Sequence, residues 1–236
     1  MRKRFVHTTE LCASDAAAIA SERQTIVALP LYQPYYGRSE PAKYGKAQPG
    51  DLFWIREPYV VYSDRRGPRA SVFGDLHTAR PPEGLSRDIH TGRTKFYTAE
   101  SMKRFQSRLT LEVLHVREAI FLDMSEAEML QAGIVRSEAN PAIFVPCIAD
   151  MTWRNDCDRA RAKREKYPGH PTLGSVADPE PPRGHRTASA AYEAHWNDWH
   201  PNNAWYTTRP VLIVKFKAHI ENVDELLPKL EASGGD

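Results

Sequence analysis

Arg108-Leu109-Thr110-Leu111-Glu112-Val113-Leu114-His115-Val116 decides how this chain is read, because apolar and polar side chains alternate along its length. A period of two turns one row of side chains to a core and the other to solvent, the signature of a half-buried strand. Upstream, Leu52 to Tyr62 is a second run rich in Trp, Ile, Val and Tyr. It follows the turn signal Gln48-Pro49-Gly50-Asp51 and is bent at Pro58. Further upstream, Ala13 to Ser21 reads as a short alanine-rich helix capped by Ser14 or Asp15, and Arg23 to Leu31 as a strand. The Tyr/Pro/Gly-rich segment Tyr32 to Pro49 then reads as a long loop.

Downstream, Ser125 to Ala132 carries a Ser cap, acids in its first turn and Gly133 as terminator, which predicts a helix of about two turns. Ala188 to Trp199 resumes helical spacing with Tyr192, Trp196 and Trp199 on one side. Val211 to Lys217 is a closing strand, followed by a small amphipathic tail around Val223, Leu226, Leu227 and Leu230. Two stretches lack periodicity. Ser63 to Lys95 is rich in Arg, Gly and Pro and reads as a surface excursion outside the core. Trp153 to Thr187 is charged, then Pro/Gly-rich, and reads as a mobile surface insertion.

The chain has 236 residues, 41% hydrophobic and 26% charged, which is ordinary globular usage and ample for a core. Lys and Arg number 32 against 30 acidic residues, a net charge of +2, so any nucleic-acid site has to come from local clustering. Cys12, Cys147 and Cys157 are too few and too irregular for a disulfide framework or a paired zinc knuckle, and reduced thiols in a cytoplasm are expected. No apolar run approaches the roughly 20 residues of a membrane span. The basic start is followed by His7, Thr8, Thr9 and Glu10 where a signal peptide needs apolar residues, which argues against secretion.

The order of elements suggests a small closed barrel with helices. Within it, Pro49-Gly50-Asp51-Leu52-Phe53-Trp54-Ile55-Arg56-Glu57 resembles the Pro-Gly-Asp-x-x-Trp-Val-Arg-Glu motif of ASCH proteins, a phage and prophage group of the PUA-like superfamily. Met102-Lys103-Arg104-Phe105-Gln106-Ser107-Arg108-Leu109-Thr110-Leu111-Glu112-Val113 is similar to a second motif of that group, and Asp123 to Glu126 with Gly133-Ile134 to a third. Tyr192 to Trp199 and Val214-Lys215-Phe216 stand where the group has its last helix and strand. The resemblance implies an α+β fold on a PUA-like (ASCH) β-barrel with flanking short helices. The implied organisation is an N-terminal extension at 1–12, the domain at 13–218 with long surface insertions at about 63–95 and 150–187, and a C-terminal tail at 219–236.

That superfamily includes RNA-binding modules, ribonucleases and amidohydrolases acting on acylated cytidine. The amidohydrolases carry a lysine and a threonine after the first helix and a glutamate near the end of the short mid-chain helix. Here those positions fall on Gln24, Val27 and Ala132, so the chemical groups are absent, and Arg23 cannot replace a deprotonatable lysine. Thr25 and Glu57 are the remaining weak catalytic candidates, and the chain reads as a binding module rather than an enzyme.

Trp54 and Arg56 share one face of their strand while Glu57 points the other way. Arg56 beside an indole suits a phosphate or a stacked base; the alternative is that Trp54 fills the core and Arg56 pairs with a carboxylate. Arg104, Ser107 and Arg108 form the preferred ligand rim, where a loop presents guanidinium and N–H groups to an anion; for Arg108 a structural ion pair is the alternative. Phe105 reads as a plug at the barrel end and Lys103 as solvated. Trp196, Trp199 and Trp205 read as core or barrel-closing aromatics, with Trp196 the candidate floor of the pocket.

The mixed run Arg154 to Lys166 reads as a solvated helical face, with sequence-independent phosphate contact as the alternative. His195 and His200, five positions apart, lie about 140° apart on a helix and cannot chelate one ion from one face. No metal and no cofactor is expected. The expected partner is RNA, single-stranded nucleic acid or a modified nucleoside. The alternatives are a hydrolase directed at nucleic acid, and a phage accessory protein that binds a host protein.

Overall fold

The computed structural model describes residues 4–35, 38–41, 46–64, 67–72, 94–170, 172, 176–199 and 210–233. Its centre is a five-stranded mixed sheet of β1 (Val6–Glu10), β2 (Ile26–Pro30), β5 (Leu52–Arg56), β9 (Thr110–Ile120) and β12 (Pro210–His219), in the order β1-β5-β9-β12-β2. β1 runs parallel to β5, and the other neighbours are antiparallel. Smaller sheets pair β3 (Tyr32–Tyr35) with β4 (Arg38–Pro41) and β10 (Ile134–Arg136) with β11 (Phe144–Pro146). A further sheet sets β6 (Tyr59–Asp64) between β7 (Gly67–Val72) and β8 (Thr94–Tyr97). The helices are α1 (Ala13–Ala20), α2 (Glu126–Gln131), α3 (Cys147–Lys166), α4 (Ala188–Trp199) and α5 (Val223–Ser233).

The fold is α+β, and among the described residues the expected closed barrel is replaced by an open sheet whose edges, β1 and β2, do not pair. Closure is one way for a strongly twisted sheet to bury its apolar rows; covering both faces is another, and this chain uses the second. On one face Ala16 and Ile19 of α1 pack on Val27, Leu29, Phe53, Ile55, Leu111, Val113, Leu212, Val214 and Phe216. On the other, Phe121, Met124, Met129, Tyr192 and Trp196 pack on Ile26, Ala28, Val211 and Ile213. β2 and most of β12 are therefore apolar at successive positions, because both of their rows are buried.

β9 keeps its alternation only up to a bulge. The register with β12 shifts between Lys215 and Phe216, which leaves Leu114 as the extra residue, exposed to solvent. Leu109, Leu111 and Val113 precede it on the α1 face; after it Val116 takes that face and Ala119 the opposite one. One inserted residue exchanges the faces, as a two-residue period requires.

The expected extension and insertions carry regular structure among the described residues. The N-terminal extension supplies β1, an edge strand anchored where Asp51 accepts hydrogen bonds from the Phe5 and Gln48 N–H groups. Within Ser63 to Lys95, residues 67–72 form β7 and 94–95 begin β8, with Pro68 on an edge strand that can spare an N–H; residues 65–66 and 73–93 lie outside the described residues. The segment from Trp153 continues α3, a helix anchored by its first turns: buried Asp150 accepts from the Ser137 hydroxyl and the Glu138 N–H. Farther along, Arg159–Asp156 and Arg161–Asp158 pairs line a solvated surface. His200 and Trp205 lie outside the described residues.

Candidate nucleic-acid interface

The sequence-predicted rim forms where β5 ends and β9 begins. β5 stops because Pro58 has no N–H to continue the ladder, and the last bond on that side runs from the Ile55 N–H to the Leu109 carbonyl. The Ser107 hydroxyl lies 2.9 Å from the Ile55 carbonyl and 3.1 Å from that of Leu109. Ser107 is buried, so its hydroxyl holds backbone together at this junction. The side-chain amide of Asn222 donates to the carbonyls of Arg104 and Ser107, at 2.7 and 2.8 Å. A short 3-10 turn, Arg104–Gln106, is thereby pinned to the start of α5.

Arg108 makes a two-pronged ion pair with Glu57, Nε to Oε1 at 2.9 Å and Nη2 to Oε2 at 3.2 Å. The Glu57 side chain is 1% exposed and that of Arg108 32%. This is the structural pairing weighed for Arg108, and it engages the Glu57 carboxylate fully. Arg56 pairs with the Glu10 carboxylate on β1 and reaches the Glu100 carbonyl at 3.4 Å. Trp54 is half-buried two residues earlier, on the face opposite Phe53 and Ile55, so the structure brings Trp54 and Arg56 to one face. Arg104 pairs with Asp224 at 2.6 Å, with both side chains about half in solvent at 42% and 54% exposure. The Nε atoms of Arg56 and Arg104 are buried without a hydrogen-bond partner.

Phe105 is the residue the sequence misplaced. Expected to plug a barrel end, it is 77% exposed, and its neighbour Lys103 is also exposed. Ile220, 65% exposed, sits at the end of β12 just before the Glu221 carbonyl that accepts from the Thr110 hydroxyl. Asn222 and Asp224, which fix this corner, went unread. The available signal was an Asn ahead of Val-Asp-Glu-Leu-Leu: the Asn222 side chain accepts from the Asp224 N–H, a helix-start pattern.

The other candidates lie elsewhere. Trp196 is buried edge-on against Phe121, with centroids 4.5 Å apart and planes at 74°, a core contact rather than a pocket floor. Thr25 is exposed, and its backbone bridges the Gln131 carbonyl and the Phe216 N–H. Val27 and Ala132 belong to the cores on opposite faces of the sheet. Gln24 is buried with Nε2 donating to the Ile26 carbonyl and Oε1 unpartnered. None of Gln24, Val27 and Ala132 is an acid or a base.

Among the described residues one group has the donor types and spacing for a metal ion: Cys12, Asp15 and His195, with one ligand atom from each lying within 4.8 Å of the others. His195 Nε2 is 2.9 Å from Asp15 Oδ1. Burial disfavours charge on the imidazole, but the nearby Asp15 carboxylate, aided by Asp198, outweighs it and raises the His195 pKa. Burial and then Asp15 also push the Cys147 thiol up to about 11.

No protein-family model, curated protein or solved structure matches this chain.

Proposed function

We propose that the chain is a binding module for single-stranded RNA or a modified nucleotide, an ASCH-type member of the PUA-like superfamily working in the cytoplasm of a bacterium or of a phage's host. The observation that carries this reading is Phe105, 77% exposed on a pinned 3-10 turn immediately after Lys103 and Arg104. Exposing a benzyl side chain to water is unfavourable, and a base stacked on it relieves that exposure while the flanking cations meet the phosphates. The half-exposed Arg104–Asp224 pair is worth little in water, so Arg104 can exchange Asp224 for a phosphate oxygen. Trp54 and Arg56 offer a second aromatic–guanidinium pair on the neighbouring strand end.

The test is a salt-dependent titration against single-stranded RNA, single-stranded DNA and duplex, with the strands weighed afterwards by mass spectrometry. Binding of intact single strands, weakened by salt and reduced about 5- to 150-fold in Phe105→Ala, is expected from a stacking contribution of roughly 1–3 kcal/mol. Binding unaffected by Phe105→Ala refutes the reading, and cleaved or deacylated product replaces it with an enzyme.

A further inference from the structure

Cys12 and Asp15 stand at the start of α1, as its N-cap and as the third residue of its first turn. Side chains at those two positions converge beyond the helix end, and the same three-residue offset lets Cys-x-x-Cys pairs grip one ion. The convergence is visible here: the Asp15 N–H donates to Cys12 Sγ at 3.2 Å. His195 arrives from α4, 180 positions away in the sequence, and places Nε2 2.9 Å from Asp15 Oδ1.

Both supporting elements are rigid. α1 is locked by fully buried Ala16 and Ile19, and α4 by Tyr192 and Trp196 on either side of His195. Ligands fixed by core packing lose little freedom when they bind. In a tetrahedral site with bonds of about 2.0–2.3 Å, donor atoms stand roughly 3.3–3.8 Å apart. The three donors here, all within 4.8 Å of one another, need only small side-chain rotations to reach that arrangement. A thiolate, an imidazole and a carboxylate together suit zinc-class transition cations rather than magnesium or calcium, which take oxygen ligands. All three side chains are partly exposed.

We propose that Cys12, Asp15 and His195 form a three-ligand binding site for a divalent transition cation of the zinc class. The site is separate from the Phe105 rim, and the inference does not rest on nucleic-acid binding.

The experiment uses the full chain, reduced and stripped of metal, titrated with Co2+ as an optical probe and then with Zn2+. Expected is one equivalent of Co2+ with a thiolate-to-cobalt charge-transfer band and intense tetrahedral d–d bands, both displaced by Zn2+. Zn2+ at a hundredfold excess over Kd should raise Tm by roughly 5–10 °C. Cys12→Ser and His195→Gln should each abolish the charge-transfer band, whereas Cys157→Ser should keep it. Ser is a favoured N-cap, so Cys12→Ser keeps α1 capped and separates loss of a ligand from loss of the fold. Absence of the band, its survival in Cys12→Ser, or its loss in Cys157→Ser overturns the proposal.

Discussion

Arg108→Ala should be the most damaging single change at the rim, and the structure says why. It leaves the Glu57 carboxylate, 1% exposed, without the guanidinium that holds both of its oxygens. Stranding one partner of a buried pair costs about 3–5 kcal/mol, which for a chain of this size lowers Tm by roughly 6–20 °C. The reverse change is milder. Glu57→Gln keeps the side-chain shape and one acceptor, and Arg108, 32% exposed, can turn its charge to water. A loss of about 1–2 kcal/mol is expected there, the usual size for a partly compensated hydrogen-bonded charge. The double variant Glu57→Gln/Arg108→Ala should lose less than the sum of the singles, because no buried charge is stranded. Urea unfolding of the four proteins measures all three quantities. If Glu57→Gln proves as costly as Arg108→Ala, or Arg108→Ala costs under about 0.5 kcal/mol, the pair does not anchor this corner.

Gly133 has φ +92°, and a Cβ added there would stand 3.2 Å from Gln24 Oε1, so Gly133→Ala should cost at least about 1–2 kcal/mol, read by urea unfolding. Glu112 gives the pH dependence. Burial raises its pKa, but hydrogen bonds from Arg4 and His219 outweigh this and leave it below the ordinary 4.5. Its stabilisation is therefore present above pH 4.5 and lost as pH falls through the lower folded value. Tm recorded from neutral to acid pH should accordingly fall less steeply below that point in Glu112→Gln than in the unchanged chain.

What the sequence made legible follows from how each element is stabilised. β5, β12, α2 and α4 announce themselves because their signals are local: an apolar run, or a capping box in which Ser125 and Glu128 serve each other's backbone N–H groups. β1 gives no such signal, since Val-His-Thr-Thr-Glu lies on a sheet edge with only Thr9 buried. Most of α3 is polar because the core touches little beyond its first turns. Whether a sheet closes depends on which strands lie at its edges, and β1, read as an extension, was one of them. The Cys12–Asp15–His195 group is equally silent, because its third member is 180 positions from Asp15 and only the fold joins them.

The rim itself was half legible, and the half that was missed changes what should be measured. Four basic side chains gather there, but their freedom to meet phosphate depends on the burial of their partners. Arg108 is committed to Glu57, whose side chain is 1% exposed, and a phosphate cannot displace that carboxylate without stranding it. Arg56 meets the Glu10 carboxylate, 42% exposed, and the Glu100 carbonyl, so water can solvate its charged partner when it leaves. Among the described residues Arg104 pairs only with Asp224, 54% exposed, which water can solvate when the arginine leaves. Lys103 is exposed beside it. Arg56, Lys103 and Arg104 are thus available to release counterions from single-stranded RNA, so the logarithm of the binding constant should fall against the logarithm of salt with a slope near −2.1. A slope near −2.8 would mean that Arg108 engages phosphate as well, and the distinction between buried and exposed ion pairs would fail.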